Sequence, residues 1–137
     1  MARGIGLYAG APIKEHATVE DVERHFRAVA NGEYAGETFT VVSDDRTLLV
    51  AMVFPRGETE QYWIVWLVTG ETLQHLAARE IVSEDFVDVM QFGAPHRLHR
   101  NCLLPAGMVK EAIAGFCDGR ALREGVWVDR ASAQPVG

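Results

Sequence analysis

His96, His99 and Cys102 stand in the spacing H-x-x-H-x-x-C, and all three residue types bind zinc or iron. A shared metal requires the three side chains to converge. If the segment is extended, His96 and His99 point to opposite faces and cannot share an ion. No second Cys or His cluster nearby completes a tetrahedral site. No metal and no cofactor is expected. Cys102 and His99 could also serve as thiol nucleophile and base, but that pair needs a lowered thiol pKa and a third orienting group. None is visible, and Cys117, at the end of an apolar helical stripe, reads as a small core residue.

Arg97 and Arg100, beside the two histidines, form a small basic patch without interleaved aromatics. The chain carries a formal net charge of −6, which suits a basic partner better than a phosphate backbone, so no nucleic-acid binding is expected. Neither G-x-G-x-x-G nor G-x-x-x-x-G-K occurs, which argues against a nucleotide-dependent enzyme. The acidic residues are more informative. Glu80, Glu84, Asp85 and Asp88 gather within nine residues, and Glu58 and Glu60 sit in a turn between two apolar runs. Such a set keeps a surface solvated, or forms a contact for a basic protein partner. These six are the candidate partner-binding residues.

The elements that must position these residues centre on 48–68. Two apolar arms, 48–54 and 62–68, are rich in β-branched and aromatic residues and flank a polar turn containing Pro55 and Gly57. This predicts an antiparallel hairpin. Alternation puts Tyr62, Ile64, Trp66 and Val68 on one face, and Trp63, Val65 and Leu67 on the other. Neither face is polar, so the hairpin belongs mid-sheet with a cover on each side, and one cover could be a recruited partner.

Upstream, residues 5–9 suit a short strand followed by a loop at Gly10, Pro12 and Lys14. Thr18, with Glu20 and Asp21 behind it, starts a helix whose stripe is Val19, Val22, Phe26 and Val29 and whose end is Asn31-Gly32. Residues 39–42 predict a strand, 71–82 a short helix or irregular crossing, and 86–92 a strand ended at Gly93-Ala94-Pro95. Residues 96–104 read as partly extended. Pro105 opens a second helix, with stripe Val109, Ala112, Ile113 and Phe116 and a stop at Gly119. Residues 126–128 form a last strand. The fold class is α+β: a mostly antiparallel sheet of about six strands with two main helices, in the order β-α-β-β-β-β-α-β.

The 137 residues, 48% apolar and 23% charged, are enough for a single core without staples, so residues 1–130 read as one domain and 131–137 as a flexible tail. Two cysteines make no disulfide framework, no apolar run reaches membrane-spanning length, and the start lacks a signal-peptide core. The expected setting is cytoplasmic.

The last third carries a recognisable arrangement: Leu103-Leu104-Pro105, the helix around 109–116, Gly119, then Val126-Trp127. It resembles immunity family one, the first of the numbered immunity-protein families found beside bacterial polymorphic toxins. Residues 120–124 stand where members of that family tend to have a proline. The resemblance implies a non-enzymatic cytoplasmic inhibitor that blocks a cognate toxin domain, such as a nuclease or nucleic-acid deaminase. Two rival readings start from the aromatic residues. One is a ligand-binding or enzymatic domain with a pocket lined by Trp63, Trp66, Phe92 and Trp127 and with His99 or Arg100 at its mouth. The other is a homodimer that buries a spare sheet face through Trp63, Val65 and Leu67.

Overall fold

The structure is a computed structural model that describes residues 5–9, 11–33, 38–55, 60–91, 94–120 and 125–134. In chain order the elements are β1 (Gly6–Ala9), β2 (Ala11–Lys14), α1 (Val19–Ala30), β3 (Thr38–Val42), β4 (Arg46–Pro55), β5 (Tyr62–Thr69), β6 (Thr72–Ala77), β7 (Phe86–Gln91) and β8 (Ala94–His99). A 3-10 turn at Arg100–Cys102, α2 (Ala106–Asp118), β9 (Val126–Asp129) and the one-turn α3 (Arg130–Ala133) complete the chain. The class is α+β. The two main helices begin and end where capping chemistry places them. Thr18 accepts from the Asp21 N–H, while the Asp21 carboxylate accepts from the Thr18 N–H at 2.8 Å, a reciprocal capping box. At the far end of α2, Gly119 adopts φ 71°, the left-handed conformation that glycine takes without a Cβ penalty.

All strand pairings are antiparallel, in the order β2-β1-β3-β4-β5-β6-β9. The 48–68 hairpin lies mid-sheet, with Leu48 opposite Leu67, Leu49 opposite Trp66 and Val50 opposite Val65. β4 continues past this ladder: its last residues, Phe54 and Pro55, pair with Met90 and Val89 of β7, and β7 pairs in turn with β8. One strand therefore belongs to two layers. Helices α1 and α2 cover one face, and Phe26 meets Trp63 there at 4.4 Å between ring centroids. On the other face Val53, Ile64 and Ala77 pack with Val89 and Leu98 of the β7–β8 hairpin, with Cys102 and Leu103, and with Ala133 of α3.

Several sequence expectations need correction. There are nine strands among the described residues, not six. β2 replaces the expected loop: Pro12 sits on an edge strand, where its missing N–H costs no ladder bond. β6 replaces the helix or irregular crossing expected within 71–82. His75, Leu76 and Ala77 are all buried, because β6 is covered on both faces, and such a run shows no alternation by which to recognise a strand. β7 ends at Gln91, close to the expected stop, but Ala94 and Pro95 already belong to the next strand, β8. Of the segment 131–137, the part up to Gln134 is described: the Asp129 carboxylate accepts from the Ser132 N–H at 2.9 Å, and Ala133 is fully buried. Trp63, Val65 and Leu67 lie beneath the helices and are 1, 0 and 7% exposed, so they offer no spare face for a homodimer. No helix among the described residues is long and apolar enough to cross a membrane.

Candidate functional site

The H-x-x-H-x-x-C segment is a brace. As strand alternation requires, His96 is exposed and His99 buried, on opposite faces of β8. The Asn101 backbone N–H donates to His99 Nδ1 at 3.0 Å, so Nε2 carries the ring proton and donates to the Ser83 carbonyl at 3.2 Å. The ring also meets Phe86 edge-on at 5.5 Å. Both nitrogens are thus engaged in holding the 78–85 connection. Cys102 is fully buried, and that burial pushes its thiol up to about 12, the wrong direction for a nucleophile. Cys117 is half-buried, with its thiol pushed up to about 11 by burial and by the nearby Asp118 and Glu23 carboxylates.

The same brace arranges the acidic residues. The Ala78 N–H donates to the Asn101 carbonyl at 2.8 Å, Asn101 Nδ2 donates to the Glu80 carbonyl at 3.2 Å, and the Arg100 N–H donates to the Asp85 carbonyl at 2.9 Å. Within this tethered loop Val82 is held 89% exposed, between the exposed Glu80 and Glu84. Glu80, Glu84 and Asp85 lie in the connection before β7 and Asp88 on β7 itself, but their charge is not all available. The Asp85 carboxylate lies 3.0 Å from Arg100 Nε and that of Asp88 3.4 Å from Arg97 Nε, so the small basic patch faces the acidic one. The carboxylates of Glu80 and Glu84 make no ion pair among the described residues. Glu60 is exposed and accepts from the Tyr62 hydroxyl at 3.0 Å; Glu58 lies outside the described residues.

The expected aromatic pocket does not assemble. Trp63 and Trp66 project from opposite faces of β5, and Trp63 is buried against Phe26. Phe92 lies outside the described residues. What sequence reasoning did not resolve is how far the second sheet face is covered. The β7–β8 hairpin and α3 close it over Ile64 and Ala77, and stop. Beyond them the register aligns Tyr8, Thr40, Leu49 and Trp66 across β1, β3, β4 and β5, and next to them Val42, Thr47, Val68 and Leu73 across β3 to β6. All eight are only half-buried. His75 marks the border of the cover: it is fully buried and accepts from Trp66 Nε1–H at 3.0 Å. Burial, with the Arg130 charge adding to it, lowers its pKa to about 4. The signal for this open half was present in the sequence, since the 62–68 arm alternates between two apolar sets and only one is covered along its whole length.

Comparison with known proteins gives no matching family model, curated protein or solved structure.

Proposed function

We propose that this chain is an immunity-type inhibitor that binds a basic bacterial toxin domain and blocks its active cleft. The observation that carries the reading is the half-covered second face of the sheet. Aromatic and aliphatic side chains from four adjacent strands lie side by side there on a rigid platform, with Tyr8 and Trp66 as the large amphipathic anchors that interfaces favour. A ladder hydrogen-bonded on both sides loses little freedom on docking, which lowers the entropic cost of association. The sequence resemblance to immunity family one supplies the class of partner. The exposed acids, Glu80 and Glu84 foremost, supply long-range attraction for a basic surface.

The test is neutralisation in cells. A large multidomain toxin gene directly upstream is the expected neighbour, and its C-terminal domain, expressed alone, should arrest growth that this chain restores. A Leu49→Lys/Val68→Lys variant that keeps its thermal midpoint should lose protection. Reversing Glu80, Glu84, Asp85 and Asp88 together should slow association more than it speeds dissociation. Full protection by the double-lysine variant would remove the open face from the contact. Failure of the wild type to protect would remove the inhibitor reading itself.

A further inference from the structure

The geometry points to a small-molecule site on the opposite, helix-covered side: we propose that the cleft beside Arg46 binds a planar aromatic anion. Arg46 opens β4 on the same side as Leu48 and Val50, and its guanidinium lies 5.2 Å from the centroid of the Phe116 ring of α2. Arg46 and Phe116 together line two clefts, of about 660 and 330 Å³. In the larger, Thr18, Ser43 and Asp118 contribute polar groups, and the Asp118 carboxylate disfavours an anion. The smaller has an apolar floor, Leu67 and Ala112, and a half-buried wall formed by Trp127. Arg120 also lines it, and Arg120 Nη2 lies 3.0 Å from the Asp118 carboxylate, directing that acid's charge toward itself.

Arg46 is suited to receive a negative group. Its side chain is 28% exposed, and Asp45 approaches it at 3.8 Å with a carboxylate that is 64% exposed, a pairing that solvent weakens. A guanidinium held near a ring by cation–π attraction can still donate two bonds from its outer N–H edge to a carboxylate or phosphate. The flat part of the ligand then lies against Trp127. A cleft of about 330 Å³ falls at the small end of ligand pockets, which fits one or two fused rings. No other half-buried arginine lies over an aromatic ring among the described residues.

Titration of the ¹⁵N-labelled protein with 2-naphthoate, with 2-naphthyl phosphate and with the neutral 2-naphthalenemethanol tests this directly. The Trp127 indole signal should shift and saturate with a Kd below about 1 mM for at least one of the two anions, while the Trp63 indole stays still. The tighter of the two identifies carboxylate or phosphate as the natural group. The neutral alcohol should bind roughly tenfold or more weakly, and Arg46→Gln should weaken the anion by a similar factor. No saturation by about 10 mM, equal binding of the alcohol, or an unchanged constant in a folded Arg46→Gln protein would each overturn the proposal. The wild-type titration needs no variant to fold, and it is independent of whether the open sheet face binds a toxin.

Discussion

Trp63 and Trp66 lie three residues apart on β5, and their surroundings differ as much as any two in the molecule. Trp63 sits 1% exposed under α1 and α2, against the Phe26 ring. Trp66 is half-buried on the far face, with its indole N–H held by a histidine at the edge of a cover that goes no further. One face is closed by two amphipathic helices whose stripes match it along its length. The other is closed by a hairpin, a 3-10 turn and a single helical turn, which pack a smaller apolar cluster and are also tied by polar bonds such as those from His99 and Asn101. Apolar helix packing supplies stability over a broad area. A polar brace fixes the position of a small cover and leaves the adjoining surface available.

The sharpest way to break this contrast is a pair of truncations at neighbouring positions of β4. Leu48 is fully buried under the helices, and Leu48→Ala should cost about 2–5 kcal/mol in denaturant unfolding. Leu49 lies on the open face, and Leu49→Ala should cost about 1 kcal/mol or less. Equal losses would mean the second face is closed. A pH series then probes the border of the cover. The folded pKa of His75, about 4, lies below its ordinary 6.5, so folding favours the neutral ring. The stability it contributes is complete above pH 6.5 and lost as pH falls toward 4, by up to about 3 kcal/mol. His25, also lowered by burial, adds in the same sense, and His75→Gln should remove most of the slope.

A smaller effect is expected at Gly125, which has φ 85° and where an added Cβ would lie 2.8 Å from the Ala77 carbonyl oxygen. Gly125→Ala should cost about 1–3 kcal/mol and disturb the docking of β9 on β6. The smallest is at the α1 cap, where Thr18→Ala should cost about 1 kcal/mol. Asp21, held at about 2 by the Thr18 backbone N–H and then by Lys14, contributes above its ordinary 3.8 and loses that contribution as pH falls through 2. Asp21→Asn and wild type should therefore converge in thermal midpoint near pH 2, while the Leu48 and Leu49 variants stay as far apart as before.

Legibility in the sequence followed the same division. The helix-covered side could be read, because Thr18, Asn31-Gly32, Pro105 and Gly119 mark helix ends and the stripes between them have a single period. The 62–68 alternation assigned both faces of β5 correctly. Where burial is two-sided the period disappears, and β6 carries no strand signature. β2 and β8 each pair with the strand just before them in a tight hairpin, and there Pro12 and Pro95 carry a turn signal although they belong to edge strands. The acidic cluster was recognisable, but its partial neutralisation by Arg97 and Arg100 depends on a strand register that no local pattern encodes. Nothing near Arg46 in sequence points to Phe116, seventy positions away.

The ten residues of β4 carry hydrogen bonds to β3 and β5 and, at their end, to β7. Its amides lie between two neighbouring strands along most of its length, so their exchange should report opening of the centre of the sheet. The amides of β8, tied to a single neighbour, should exchange through a local excursion and lose their protection first.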